Sequence, residues 1–185
     1  WSCVTNTNVN LFKPGADPMH NLAFLATLAC VIKGVDDYAD LLRLSIATPG
    51  NDHRLGGNEA PPAAISMFLG DALNEVIDAL IEGKELNEIK KARFQTGVSV
   101  IPDFQKDNTD RNRTSPFAFT GNKFEFRGVG SSQSIAVANT MLNSMLAATM
   151  KEMSKKLESG IPLNEIIKEF FNNHKRVIFE GNGYS

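Results

Sequence analysis

The stretch from Asn51 to Pro62 holds residues whose types and spacing are suited to chemistry. Its glycines would let the backbone approach a ligand closely. Arg54 could hold a carboxylate through two parallel hydrogen bonds, and Glu59, just before a proline-started helix, could act as a base beside it. The alternative is that Arg54 is a solvated loop residue and that Glu59 only complements the dipole of the helix.

A charged loop from Asp107 to Thr114 offers donors for phosphate oxygens. It places Arg111 and Arg113 on either side of Asn112, and the planar fork of an arginine matches the geometry of a phosphate group. The loop could therefore contact a phosphate group. The alternative is a solvated charged loop that binds no ligand.

A third group of polar residues alternates with two phenylalanines. Since strand side chains point to opposite faces in turn, Lys123, Glu125 and Arg127 share one face, and Phe124 and Phe126 share the other. A carboxylate between two cations could hold a divalent metal while the cations bind nucleotide and substrate anions. The alternative is a salt-bridge ladder on a solvated face.

Several common site types are missing from the sequence. His20, His53 and His174 are far apart, and none lies at helical ligand spacing from another, so we expect each to be structural or solvated. The sequence contains no GxxxxGK[ST], GxGxxG or GxSxG motif. If the protein binds ATP, it does so through other residues.

The elements that must position these residues are helices and strands in mixed order. Hydrophobic periodicity and capping residues predict a long helix from the Asp17-Pro18 pair to Leu42, a second from Ile65 to Leu80 closed by Gly83, a third from a cap at Ser131 or Ser132 to about Leu157, and a short fourth from Ile166 to Phe171. Alternation predicts strands at 94–101 and 122–127, and an apolar pair at 178–179 is strand-like. This order predicts an α/β or α+β fold.

The composition is that of an ordinary globular domain. The 185 residues are 42% hydrophobic and 22% charged, enough for one domain or part of one. A formal net charge of -2 gives no reason to expect nucleic acid or an anionic membrane as partner, and no apolar run reaches the roughly 20 residues that span a bilayer. Cys3 and Cys30 are too few for a disulfide scaffold, so we expect free thiols and a cytoplasmic protein.

Two long strings, at 50–62 and 110–127, closely resemble type III glutamine synthetases. The resemblance continues through 11–15, 35–43 and 181–185, and so covers essentially the whole chain. It implies a catalytic domain in which antiparallel sheet strands pack with long helices. Because the chain begins without an initiator Met and stops just after turn residues, we expect residues 1–185 to be part of that domain, truncated at both ends.

The resemblance also implies a reaction. In the family, ATP phosphorylates the side-chain carboxylate of glutamate, and ammonia then displaces phosphate to give glutamine, with Mg²⁺ or Mn²⁺ holding the anions together. Clustered cations and metal ions are what such a phosphoryl transfer requires. Family members form large homo-oligomeric rings, so the parent of this chain is expected to do the same.

By similarity, seven residues take roles in that reaction. Arg54 would hold the carboxylate of glutamate, Glu59 would help to take a proton from the attacking ammonium, Arg113 would stabilise the transferring phosphate, Lys123 would contact nucleotide phosphates, Glu125 would bind a metal, Arg127 would contact glutamate or phosphate, and Ser2 would contact the nucleotide. The resemblance thus combines the three polar groups into one site.

This sequence departs from the type I pattern at two points, and it lacks most of the family's metal ligands. Arg54 and Glu59 are one residue closer together than in type I enzymes, a spacing that the resemblance implies for type III enzymes. Ala118 stands near the position of a nucleotide-binding arginine of the type I pattern, for which Arg111 is a possible substitute. Only Glu125 remains of the family's metal-binding carboxylates. We therefore predict no turnover by this chain alone, because a lone carboxylate holds Mg²⁺ poorly.

Two other functions remain open on the sequence. A related ligase could join glutamate to a larger amine, since it would share the phosphorylation step and differ only in the acceptor pocket. Alternatively, the chain could be a non-catalytic assembly module. Nucleotide binding would argue against the second alternative.

Overall fold

The computed structural model of the protein describes residues 1–57, 65–83 and 115–179. The helices and strands in these ranges are α1 (Leu22–Asp37), α2 (Ala39–Ile46), α3 (Pro49–Asp52), β1 (Met67–Phe68), α4 (Asp71–Glu82), β2 (Phe117–Phe119), β3 (Phe124–Phe126), α5 (Ala136–Glu158) and α6 (Leu163–His174). Short 3-10 turns at Pro18–His20 and Lys175–Val177 precede α1 and follow α6. The fold is therefore mixed helix and sheet, as the sequence predicts, and the predicted strand at 94–101 lies outside the described residues.

α1 is the central helix of the core. Every residue from Phe24 to Val35 except Ala26 is buried, which is the pattern of a helix that other elements cover on all sides. α5 and α6 both pack against it. The approach of α5 is close, because a Cβ atom added to Gly34 would lie 2.7 Å from Cγ of Met145. Within the described ranges, no helix combines the length and the apolar character needed to cross a membrane.

The single long helix predicted from Asp17 to Leu42 is wrong in its boundaries. Asp17 makes no capping bond, and the cap of α1 is Asn21, whose side chain accepts from the Phe24 N–H at 3.1 Å. The helix also breaks at Tyr38, where φ is −119° and ψ is 22°. The break lets α2 take its own direction and bury Leu42 in the core.

The three strands form one mixed sheet in the order β1-β2-β3. β1 runs parallel to β2, with Met67 opposite Phe117. β2 and β3 are antiparallel, with Phe119 opposite Phe124. The predicted antiparallel sheet is therefore correct for only one of the two pairings.

β1 lies where the sequence predicts a helix. Ile65 and its apolar neighbours favour a helix there, but Gly70 adopts φ 86° and turns the chain, so that α4 begins only at Asp71. The predicted end of that helix is confirmed, because Gly83 caps α4 in the left-handed conformation with φ 72°. The prediction was wrong at the start because a short apolar strand and a helix turn look alike in sequence.

The backbone of Trp1 pairs with the free edge of β3. The Phe124 N–H donates to the Trp1 carbonyl at 2.9 Å, and the Trp1 nitrogen donates to the Phe124 carbonyl at 2.9 Å. This is the double exchange of an antiparallel hydrogen-bonded pair. Residues 3–11 then turn back on themselves, with an antiparallel bridge between Val4 and Asn10.

The last two helices exist where the sequence predicts them, with different starts. Neither Ser131 nor Ser132 caps α5, which begins at Ala136, whose N–H donates to the Ser134 hydroxyl at 3.2 Å. α6 is longer than the predicted short helix and runs from Leu163 to His174. The strand-like pair at 178–179 makes one parallel bridge to β1.

Candidate functional site

The sheet has an apolar face and a polar face. On the apolar face the rings of Phe117 and Phe124 stack, with centroids 4.7 Å apart and planes at 6°. Since strand side chains alternate between faces, Lys123 and Glu125 lie on the opposite face, where both are exposed. The alternation predicted for this strand is confirmed by the burial pattern of Phe124 to Phe126.

Arg127 lies beside Glu125 on the polar face. Its Nε and Nη2 atoms donate to the same carboxylate oxygen of Glu125, at 3.2 and 3.0 Å. The guanidinium is 17% exposed and the Glu125 side chain 46% exposed. The alternative of a salt-bridge ladder is thus represented by an ion pair between two residues that lie two positions apart, and this pair places the carboxylate next to a positive charge.

Ser2 reaches the same face through the edge pairing of Trp1. Trp1 and Cys3 both pack against the core, and Ser2 between them is exposed. Because Trp1 pairs with Phe124 on the apolar side, the alternation puts Ser2 on the side of Lys123. We call Ser2, Lys123, Glu125 and Arg127 the polar face of the sheet.

Arg54 is attached to the end of this strand through Asn51. The Nε and Nη2 atoms of Arg54 donate to the Asn51 side-chain oxygen at 3.1 and 2.9 Å. The Asn51 side-chain nitrogen donates in turn to the carbonyl of Gly128, at 2.7 Å. Since Gly128 follows Arg127, the structure joins the loop of Arg54 to the strand that carries the polar face.

Two predicted site residues, Glu59 and Arg113, lie outside the described residues, and so does Arg111. Ala118 is described, and it lies on β2 directly opposite Glu125. Its side chain therefore belongs to the same side of the sheet as Glu125, although Ala118 itself is fully buried. Ala118, near which the type I pattern predicts a nucleotide-binding arginine, is thus adjacent to the predicted metal ligand.

Sequence reasoning missed Asn51 and Gln133. Gln133 donates from Nε2 to the Thr48 hydroxyl at 2.5 Å, so a second bond joins the loop of Arg54 to the segment after β3. The only signal in the sequence was a polar residue three positions before Arg54. Neither partner could be identified, because Asn51 and Gly128 are 77 residues apart.

Glu125 has the chemistry of a ligand for a divalent cation. Mg²⁺ in phosphate-handling sites takes one or two protein carboxylates and completes its shell with phosphate oxygens and water. One carboxylate flanked by Lys123 and Arg127 fits a cation that binds together with a phosphate group. The polar face could therefore hold Mg²⁺ or Mn²⁺ as part of a nucleotide complex, through Glu125.

A second acidic group is neutralised by its own neighbours. Atoms of Asp36, Asp37 and His174 lie within 4.8 Å of one another. Arg176 bonds to Asp36 at 2.7 Å and Lys33 bonds to Asp37 at 2.7 Å, so these carboxylates form a salt-bridge network between α1 and the end of α6. In the described part of the chain, no such group of possible ligands contains two histidines.

Both cysteines are free, as predicted. Cys30 lies in the core, and burial raises the pKa of its thiol to about 12. Burial also raises the pKa of Cys3, which is partly exposed. A thiol with a raised pKa is a poor nucleophile at neutral pH, so the buried Cys30 is suited to packing rather than to catalysis.

Three curated proteins are similar to the chain over its whole length. No protein-family model matches the chain. Over its whole length, however, the chain is 45% identical to the type-3 glutamine synthetase of Dictyostelium discoideum. It is likewise 46% identical to a glutamine synthetase of Butyrivibrio fibrisolvens and 43% identical to one of Bacteroides fragilis strain YCH46. The chain spans 26 to 27% of the length of these curated relatives.

Proposed function

We propose, from the premise that this chain is homologous over its whole length to a segment of glutamine synthetases, that it forms part of an active site in which ATP, glutamate and ammonia give glutamine. The observation that carries the proposal is the polar face of the sheet. It presents one carboxylate between two cations, with Arg54 attached next to the strand end. Such a set is suited to binding a nucleotide phosphate and a substrate carboxylate together.

The proposed chemistry is phosphoryl transfer to the side-chain carboxylate of glutamate. This reaction brings a triphosphate and a dicarboxylate together, so the site must offset several negative charges. Lys123 and Ser2 contact the nucleotide, Arg54 holds the carboxylate of glutamate, and Arg127 contacts glutamate or the phosphate that moves. The Glu125–Arg127 ion pair supports the role given to Arg127, because it holds the guanidinium beside the proposed metal ligand.

Glu125 is the proposed ligand of Mg²⁺ or Mn²⁺. A bound cation of this kind polarises phosphate oxygens and neutralises their charge. Glu59 and Arg113 are proposed from the resemblance alone, Glu59 as the base that takes a proton from ammonium and Arg113 as the group that stabilises the transferring phosphate. Attack by ammonia and loss of phosphate then give glutamine.

Two properties of the complete protein belong to the same proposal. We expect it to be a homo-oligomer, because family members form rings. We also expect it to be cytoplasmic, because two cysteines are too few for a disulfide scaffold and suit a reducing compartment. Size-exclusion chromatography with light scattering would test the assembly. A monomer at micromolar concentration would contradict it.

Calorimetric titration of this chain with ATP, with and without Mg²⁺, tests the nucleotide site. The Lys123→Ala variant should bind ATP more weakly in both conditions, because a charge-assisted contact is lost. The Glu125→Gln variant should bind about tenfold more weakly, and only with Mg²⁺ present, because the lost group is a metal ligand. Glu165→Gln, which alters an exposed carboxylate of α6, is the matched control and should bind as the wild type does.

Two results would contradict the assignment. One is the absence of ATP binding by a wild-type chain whose circular dichroism shows that it is folded. The other is equal binding by the wild type and all three variants.

A further inference from the structure

Asn51 is fully buried and uses every hydrogen-bonding group of its side chain. Its nitrogen donates to the carbonyls of Ile46 at 2.8 Å and of Gly128 at 2.7 Å. Its oxygen accepts from the Nε and Nη2 atoms of Arg54 at 3.1 and 2.9 Å. A side-chain amide has two N–H donors and one oxygen, so the amide of Asn51 is satisfied in one orientation only.

The point to which Asn51 is attached has little freedom to move. Gly128 lies against Ile46, and a Cβ atom at Gly128 would collide with Cδ1 of that buried side chain. Just before Gly128, the Arg127 N–H donates to the carbonyl of Pro116 at 2.8 Å. Asn51 therefore connects the exposed guanidinium of Arg54 to Gly128, a backbone position that is held in place by packing.

The contact also decides which edge of Arg54 meets a ligand. Nε and Nη2 form one side of the guanidinium, and that side faces Asn51. The N–H groups of Nη1, and the outward N–H of Nη2, form the end of the fork, and the described residues do not bond Nη1. A carboxylate would therefore bind end-on, through Nη1 and Nη2.

We propose that Asn51 is a positioning residue that holds Arg54 at a fixed place relative to Arg127, so that Arg54 receives the carboxylate of glutamate end-on. The proposal rests on the proposed function for the identity of the ligand. The geometry of the Asn51 contacts is independent of that function. Hydrogen bonds to a charged group commonly change an equilibrium constant by about tenfold or more when one partner is lost.

Steady-state kinetics of the complete protein can separate positioning from a general structural role. Asn51→Ala should raise the KM for glutamate about tenfold and change the KM for ATP by less than about twofold. In an Arg54→Ala background, the same change should alter the glutamate KM by less than about twofold, because Asn51 acts through Arg54. An equal effect of Asn51→Ala in both backgrounds would overturn the proposal.

Two further variants sharpen the test. Gln133→Ala removes the neighbouring bond to Thr48 without touching Arg54, and it should leave the glutamate KM within about twofold of wild type. Asn51→Asp keeps the oxygen that Arg54 contacts but loses the donors to Ile46 and Gly128, so it should raise that KM by less than Asn51→Ala does. A wild-type KM in Asn51→Asp, or a shift in Gln133→Ala equal to that in Asn51→Ala, would overturn the proposal.

The hydrogen bond between Arg54 and Asn51 can also be tested in the wild-type protein, without an activity assay and without any substitution. In the wild-type protein, the Nε–H of Arg54 should exchange with water more slowly than that of an unbonded arginine, as followed by nitrogen-15 NMR of the side chains. Exchange as fast as that of an unbonded arginine would overturn the proposal. If this proton is protected but the complete protein makes no glutamine, the proposed function fails while the positioning by Asn51 stands.

Discussion

Asp36 joins two distant parts of the chain through charge. Its carboxylate is 7% exposed and accepts hydrogen bonds from Nδ1 of His174 at 2.8 Å and Nε of Arg176 at 2.7 Å. Burial acts to raise the pKa of Asp36, but the hydrogen bonds from Arg176 and His174 outweigh it and hold the pKa below its ordinary value. A single ionised side chain thus fixes the end of α6 to the end of α1.

The pH dependence of stability should report this carboxylate. Because its pKa is lower in the folded than in the unfolded chain, its contribution is complete above the ordinary aspartate pKa of about 4. The contribution is lost as the pH falls through the lower, folded-state pKa. Asp36→Asn should therefore decrease the free energy of unfolding by roughly 1 to 3 kcal/mol at neutral pH and flatten its fall below about pH 4.

Urea unfolding at several pH values would measure this effect. Asp78→Asn is the control, since Asp78 is 56% exposed and lies 3.5 Å from Lys175, a surface pair from which little stability is expected. The assignment to Asp36 is wrong if both variants show the same pH profile as the wild type.

At the scale of single residues, the face on which a side chain lies could be predicted from the sequence, whereas its tertiary contacts could not. The exposed position of Glu125 follows from strict alternation over a few residues, which is a local property. The role of Asn51 depends on a carbonyl 77 residues away. Glu59 and Arg113, which lie outside the described residues, stay predictions.

At the scale of elements, Gly34 lets α1 and α5 approach each other closely, because a Cβ atom at this position would lie 2.7 Å from Cγ of Met145. Met145 is 3% exposed and occupies the space that a side chain at position 34 would need. Glycine inside a helix normally costs stability relative to alanine. Its presence in α1 is explained by the close approach of α5.

Gly34→Ala tests this packing by the sign of its effect. Helix propensity alone predicts an increase of stability of up to about 1 kcal/mol. The close contact predicts a net decrease of about 1 to 2 kcal/mol, because overpacking displaces Met145. Thermal unfolding followed by circular dichroism would distinguish the two, and the decrease should be smaller when the change is made in a Met145→Ala background.

Some element boundaries could be predicted from the sequence and others could not. Gly83 ends α4 as predicted, because only glycine readily adopts the left-handed conformation of that cap. The apolar residues near Met67 gave no such signal, and they became a strand because Phe117 offered a parallel partner. Local chemistry thus predicts where an element ends, whereas the pairing of a two-residue strand depends on the rest of the fold.

At the scale of the whole molecule, the chain supplies only part of the proposed site. It spans about a quarter of the length of its curated relatives. On the polar face of the sheet, the described residues supply a single carboxylate, Glu125. Phosphoryl transfer with a bound dicarboxylate requires more metal ligands than that.

We expect the 185-residue chain alone to form no glutamine. The assay would supply glutamate, ammonia, ATP and Mg²⁺, and would measure glutamine directly. The complete protein, assayed beside it, should be active. Magnesium-dependent glutamine formation by the isolated chain would contradict this prediction.

The pairing of Trp1 with β3 has a consequence for how the protein is made. Trp1 is synthesised 123 residues before its backbone partner, Phe124. The bridge between β1 and Ile178 likewise cannot form until Ile178 has been synthesised. Until β3 has been synthesised, the aromatic side chains of Trp1 and Phe12 lack their partner Phe124, and such exposed surface promotes aggregation. The nascent chain is therefore expected to depend on chaperones until β3 has been synthesised.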